Sequence, residues 1–382
     1  MTRVSLDDNA TTPVEPAVMQ ALLPYFGPQF GNASSTYALG QNAKKAVEMA
    51  RTQVASMLGA SDSNEIVFLS GGTESINYAI KGSALAAKRT SGRNHIVTSS
   101  VEHVAVLETC KWLETQGFQV TYLPVNNFGC VRPVAAISRA VRRFVEDEEN
   151  RLPIVVHTDA SQAIGKVRVN VVELDVDLVT MAGHKFYAPK AVGALYVRKS
   201  MVLDTIIHGA SQENGRRGGT ENVGLVAALG QACALVEKNL HEYAVIMQES
   251  RAFLLEQIQK HCSLTNVSCQ VNGHPELSLP NTLSISFENI DASRLLDLIE
   301  ADGVYASAGS ACHSHKQDRT TEQEKNLDRD GKHITISYVL AAMHVAPEFA
   351  KGTLRLSVGR STTQEEVLHA ANAIHKAIQQ LL

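Results

Sequence analysis

Asp159 and Lys185 stand 26 residues apart in VVHTDASQAIGKVRVNVVELDVDLVTMAGHKFYAPK, each just past an apolar, strand-like run. A lysine amine condenses with aldehydes, and a carboxylate keeps a ring nitrogen protonated. The pair suits pyridoxal phosphate, with Lys185 on the aldehyde and Asp159 on the pyridine nitrogen. Either residue alone reads more readily as a strand-end acid or a surface lysine. Ser70-Gly71-Gly72-Thr73-Glu74-Ser75 lies between a strand-like run and a helical one. Its glycines let backbone N–H groups approach an anion at a helix start, and Thr73 adds a hydroxyl. An ordinary βα turn capped by Thr73 would look the same. No Gly-Lys-Ser/Thr follows, so this is not a nucleotide P-loop.

Three more residues carry chemistry. His103, in SSVEHVAV, follows a strand and can stack on an aromatic cofactor or simply cap a helix. Cys312, in SAGSACHSH, opens a polar stretch where a thiol can be a reactive thiolate. A buried structural thiol, or a metal site with His313 and His315, are its competing readings. No second ligand cluster has the spacing to complete a metal site, and none is expected. Arg355, in TLRLSVGR, offers a fork for bidentate capture of a carboxylate, or for an ion pair.

These residues need a scaffold. Short β-branched runs alternate with amphipathic helical stretches: Glu65 to Leu69, His95 to Thr98, Val120 to Leu123, Ile154 to His157 and Leu178 to Met181 read as strands. Helices are expected over Glu74 to Lys88, Ala105 to Gln116, Val134 to Glu146 and Gly224 to Lys260. The rhythm predicts an α/β domain with a mainly parallel sheet over residues 16–241. A smaller α+β domain is expected from 1–15 and 242–382, with strands at Thr282 to Phe287 and Gly352 to Val358 and helices at Ala292 to Ala301 and Thr363 to Leu382. His313 to His333 is a charged loop. The chain has 382 residues, 44% hydrophobic and 19% charged, with a net charge of −4. That balance gives no electrostatic reason to expect nucleic acid or an anionic membrane as a partner. No apolar run reaches the ~18 residues of a membrane span. The start, MTRVSLDDNATTP, is neither a secretory signal nor an Arg-rich transit peptide, and the six cysteines show no paired framework. A cytoplasmic location with reduced thiols is expected.

Together, LDDNATTP, FGNASS, FLSGGTES, SSVEH, HTDASQ, GHKFY, RRGGTEN, SAGSACHS and RLSVGRSTT resemble the class-V, fold-type I pyridoxal-phosphate enzymes. Within them the chain is similar to the selenocysteine lyase and cysteine desulfurase family. GHKFY, GGTEN, the Cys-His-Ser run and LSVGRSTT lean toward the lyase branch. The resemblance implies removal of selenium or sulfur from L-selenocysteine or L-cysteine, leaving L-alanine. It implies Lys185 as the cofactor lysine, Asp159 on the ring nitrogen, Gln162 on the ring hydroxyl and His103 stacked on the ring and moving protons. Gly72, Thr73, Gly183 and His184 would hold the phosphate, with Thr220 reaching the phosphate of the other subunit of a homodimer. Arg355 and Asn32 would bind the substrate carboxylate. Cys312 would take the sulfur or assist with selenium, and an acceptor protein would follow. A class-V aminotransferase and a non-catalytic binding isoform are the alternatives.

The chain departs from the family pattern in three places. Ala182 stands where many desulfurases carry a serine on the phosphate. The segment between Cys312 and Ser337 is longer than usual. Between YLPVNNFGCV and RPVAAISRAVRR roughly one βα unit of the pattern is missing, including a strand and the asparagine that contacts the ring. Asn126-Asn127 is then a turn before the missing segment, and Asn127 a candidate stand-in for that asparagine. A lost interior strand leaves ladder groups unpaired, at about 1–3 kcal/mol each.

Overall fold

The computed structural model describes residues 3–146, 154–308 and 336–382. Strand β1 (Val4–Ser5) precedes helices α1 (Pro16–Leu22) and α2 (Ala38–Leu58). β2 (Ile66–Leu69) leads into α3 (Gly72–Asn77), a π turn over Tyr78–Gly82, and α4 (Ser83–Ser91). β3 (His95–Ser99), α5 (Val104–Thr115) and β4 (Gln119–Leu123) form a βαβ unit. Then come α6 (Val134–Glu146), β5 (His157–Asp159), α7 (Val171–Leu174), β6 (Leu178–Ala182) and β7 (Gly193–Val197). The long α8 (Val223–Thr265) is followed by β8 (Cys269–Asn272), β9 (Thr282–Phe287), α9 (Ala292–Ala301) and β10 (Val304–Tyr305). After the undescribed 309–335 come α10 (Tyr338–Ala342), α11 (Pro347–Ala350), β11 (Thr353–Ser357) and α12 (Gln364–Leu381).

The α/β class holds. The larger core packs β2, β6 and β7 residues against α2 and the first half of α8. The second core joins β1, β9, β11, α9 and α12 to the second half of α8. By length and composition α8 is apolar enough to cross a membrane, yet half of its most apolar window is buried. It packs on α1, α2 and α12, as a core helix shared by both clusters. Gly230 allows the approach, because a Cβ there would lie 2.6 Å from the Ala50 Cα.

Sequence patterning did not single out α2, β7 or β8. In α2, Ala43, Val47, Ala50, Val54 and Leu58 form a buried stripe at helical spacing, and Gly59 ends it with φ 66°. The strand expected at Ile154 to His157 instead starts at His157. The Val156 carbonyl accepts from the Asp177 and Leu178 N–H groups, but the Val156 N–H donates to the Asp177 carboxylate and the Ile154 carbonyl accepts from Arg142, so side chains take part of the ladder's place there.

The sheet is in two pieces. Four strands run in the order β2-β7-β6-β5, with β7 antiparallel to its neighbours and β2, β5 and β6 parallel to one another. β3 and β4 pair in parallel as a separate ribbon. Among the described residues, β5 and β3 each have one edge without a strand partner. β2 and β4 are the other edge strands of the two pieces. The chain passes from β4 to α6 through a turn in which the Asn126 side chain accepts from the Phe128 and Cys130 N–H groups. Asn127 is exposed there.

Candidate active site

Because β2, β5 and β6 are parallel, their C-terminal ends share one edge of the sheet, where α/β folds place ligands. Gly71 follows β2, Asp159 ends β5, and Gly183-His184-Lys185 follow β6. The pairing of Asp159 with Thr180 sets Asp159 five residues of chain from Lys185 on the neighbouring strand. Topology therefore brings the first two residues considered to one edge of the sheet.

The Asp159 Oδ1 accepts from the Ser161 N–H at 3.0 Å and from its hydroxyl at 2.6 Å. Gly72 opens α3 against this pair: a Cβ there would lie 3.0 Å from the Ala182 Cβ and 3.5 Å from the Ser161 Oγ. Position 182 thus borders the helix start, and its methyl leaves no hydroxyl for an anion. At Gly71, with φ 149°, a Cβ would meet nothing within 4 Å. The backbone at this helix start faces open space, as close approach of a phosphate requires. Glu74 closes the turn by accepting from the Ser70 N–H at 2.7 Å. Arg217 pairs with the same Glu74 at 2.9 Å and so ties the GGTEN loop to the helix start. Thr73 and Thr220 are both exposed.

The Lys185 Nζ donates to the carbonyls of Asn9 (2.7 Å) and Ala10 (2.9 Å). The N-terminal segment wraps over the same turn, with the Thr12 N–H on the His184 carbonyl at 2.9 Å and the Thr11 hydroxyl 3.2 Å from His184 Nδ1. Burial, then the charges of Lys185 and Lys190, lower His184 to about 4, which keeps it neutral. Gln162 donates from Nε2 to the Asn9 carbonyl at 2.9 Å, beside the Lys185 amine. Beneath the edge, burial lowers His157 to about 4 against the pull of Asp159, and its Nε2 lies 2.9 Å from the Thr180 hydroxyl.

His103 comes from the other piece of the sheet, in the loop after β3. Its Nδ1 accepts from the Ala105 N–H at 3.1 Å, capping α5 and leaving the proton of the neutral ring on Nε2. Burial lowers its pKa, while Asp159 pulls it up and Lys185 pushes it down, so it lies within the field of both. Arg355 is not free: its Nη2 donates to Asp7 at 2.7 Å. Its buried Nε has no hydrogen-bond partner among the described residues. Asn32 sits on an exposed loop with its Oδ1 on the Ser34 N–H, and no described contact joins it to Arg355.

Cys312, His313, His315 and the 313–333 loop lie outside the described residues. The chain on both sides is anchored at the site. Ser307 bridges Arg355, and the Tyr338 hydroxyl donates to the Glu102 carbonyl at 2.6 Å, next to His103. Sequence reasoning quoted LDDNATTP but gave its residues no role, although Asn9 and Ala10 hold the lysine. Ser161 and Lys166 were also passed over, although both lie in or beside the HTDASQ motif.

Fold and site define an α/β enzyme built to hold an aldehyde-and-phosphate cofactor beside a lysine and an acid. The family described as aminotransferase class-V matches residues 4–146 and 126–369, and the chain belongs to it. Its cofactor is pyridoxal phosphate, and the helix start, lysine and acid found here fit that group. The two matched stretches overlap at the sheet break. The chain is similar to "Cysteine desulfurase IscS" of Methanosarcina thermophila, 41% identical over 401 residues, covering 99% of this chain and 92% of the relative. It is similar in structure to a "NIFS-like protein" with TM-score 0.86 and 31% identity, covering 100% of both chains. A structure described as "SspA in complex with cysteine" matches with TM-score 0.71 and 29% identity, over 95% of this chain and 100% of that one.

Proposed function

We propose that this protein removes sulfur from L-cysteine, giving L-alanine and sulfur carried on a protein thiol. The observation that carries the reading is the convergence of Lys185, Asp159 and the Gly71-Gly72 helix start on one sheet edge. Full-length similarity to cysteine desulfurases supports it. Bound there, pyridoxal phosphate supplies an electron sink that makes the substrate Cα–H acidic. Lys185 would hold its aldehyde carbon, Asp159 its ring nitrogen and Gln162 its ring hydroxyl. Gly72, Thr73, Gly183 and His184 would hold its phosphate, with Thr220 of a second copy. Arg355 and Asn32 would bind the substrate carboxylate, Arg355 exchanging Asp7 for it and adding the donor of its buried Nε. The Lys185 Nζ and the His103 Nε2 would move the proton. Cys312 would take the sulfur: an S–S bond forms as the substrate Cβ–S bond breaks, and the electron pair left on carbon takes a proton to give alanine. The anchoring of Ser307 and Tyr338 on either side of Cys312 supports this.

A homodimer fits the surface. Leu23, Phe26, Phe30, Tyr37 and Met49 are each more than half exposed, an apolar excess typical of an interface. Five described cysteines are free thiols, which suits a cytoplasmic location and transfer to an acceptor protein. The motifs lean to selenocysteine, whereas the names of the relatives favour cysteine. Alanine formation from each substrate, followed by mass spectrometry, decides: faster turnover of selenocysteine would make the protein a lyase, and a keto acid in place of alanine an aminotransferase. The break in the sheet favours a second reading, a cofactor-binding protein without turnover. A Lys185-dependent visible band with no alanine from either substrate would establish it.

A further inference from the structure

Lys166 is 3% exposed, and none of the roles above uses it. It lies one helical turn beyond Gln162, on the turn that follows β5. Its Nζ donates to the Gln162 Oε1 at 2.6 Å and to the Asn9 Oδ1 at 3.3 Å. A charged amine only donates, which turns the Gln162 oxygen toward Lys166 and its NH2 group toward the Asn9 carbonyl at 2.9 Å. The same carbonyl accepts from the Lys185 Nζ at 2.7 Å. The Gln162 amide and the Lys185 amine therefore meet on one oxygen, and the two lysines meet on one asparagine. Asn9 carries the network into the second core: its Oδ1 also accepts from Asn281 at 3.0 Å, and its Nδ2 donates to the Thr282 hydroxyl at 2.7 Å.

We infer that Lys166 is a positioning residue of the cofactor site, orienting the Gln162 amide toward Lys185 and, through its charge, favouring the neutral form of the Lys185 amine. The inference rests on Lys185 being the cofactor lysine. Two amines in one buried network cannot both be charged without cost, so a proton on either disfavours a proton on the other. Burial, then Lys185, lowers Lys166 to about 7, with Asp8 opposing and Arg355 reinforcing. A lysine must lose its proton before it can attack an aldehyde, and a neighbouring cation is one established way to bring that about.

The test uses full-length Lys166→Met and Lys166→Gln with wild type. Pyridoxal-phosphate affinity is measured by titration, and the pH midpoint of Lys185 acetylation in the cofactor-free chain by peptide mass spectrometry. Lys166→Met should weaken cofactor binding about tenfold and raise the Lys185 midpoint by about one pH unit. Lys166→Gln keeps a donor for Gln162, so it should bind the cofactor nearly as wild type does while the midpoint still rises. Folded variants with unchanged affinity and midpoint would overturn the inference. If neither variant folds, lysine Cε NMR of the wild-type chain decides: a lysine titrating near neutrality, and moving upward in Lys185→Ala, supports the coupling, and its absence refutes it. A wild-type protein with no Lys185-dependent visible band would instead sink the cofactor reading itself.

Discussion

The two pieces of the sheet are built differently. β6 is buried at all five positions, between a parallel and an antiparallel partner. β3 alternates between exposed and half-buried positions, is buried only at Ser99, and has one partner. The first piece is held by ladders on both sides and by the large core. The second is held mainly through α5, whose Val106, Cys110 and Leu113 pack with Ile76 and Ile80 of the α3 and π-turn helix. Asp159, Lys185 and the Gly72 turn belong to the first piece, and His103 to the second. The residues proposed to hold the cofactor therefore follow strands paired in the larger sheet, whereas the residue proposed to stack on the ring rides on a ribbon attached by side-chain packing.

The contrast can be broken most sharply at Lys185. Lys185→Ala should cut alanine formation by about 10⁴-fold or more and remove the visible cofactor band, with little change in melting temperature. Asp177→Ala attacks the seam that holds the start of β5 to β6. Its carboxylate takes the Val156 N–H at 2.8 Å and pairs with Arg142 at 2.9 Å while only 5% exposed. Loss of about 3–5 kcal/mol in urea unfolding is expected, with the β3–β4 ribbon spared in hydrogen exchange. An equal loss of protection in both pieces would show that they are one unit.

His157 sharpens the comparison through pH. Its folded value, about 4, lies below the ordinary 6.5, so the unfolded chain binds the extra proton first. Its contribution is whole above pH 6.5 and is lost progressively as pH falls toward 4, by up to about 3 kcal/mol. His157→Gln should flatten that part of the stability–pH curve. The smallest effect is expected in the ribbon: His103→Gln should lower turnover by about 10²-fold while leaving cofactor affinity within a few-fold. A loss as deep as that of Lys185→Ala would mean that the ribbon is as firmly placed as the strand ends.

Much of this was legible beforehand because it is local. The helix over Val134–Glu146 and the strand Thr282–Phe287 follow from periodicity. The glycine turn and the ordered motifs pointed to the cofactor. β7 escaped notice because GALYV is apolar throughout and carries no alternation, being buried on both faces. The strand expected at 154–157 starts three residues later: Ile154-Val155-Val156 has strand composition, while the Ile154 carbonyl and the Val156 N–H are taken by the Arg142 and Asp177 side chains.

The sequence by itself determined the residue types and their motif order, since these are properties of the chain alone. Only the tertiary structure decided that Asp7 occupies Arg355, that Asn9 and Ala10 hold Lys185, and that Lys166 stands behind Gln162. Those contacts join residues up to 348 positions apart, or depend on which end of a side chain amide faces a cation. No local propensity encodes them, because burial and hydrogen bonding arise only once distant segments pack together.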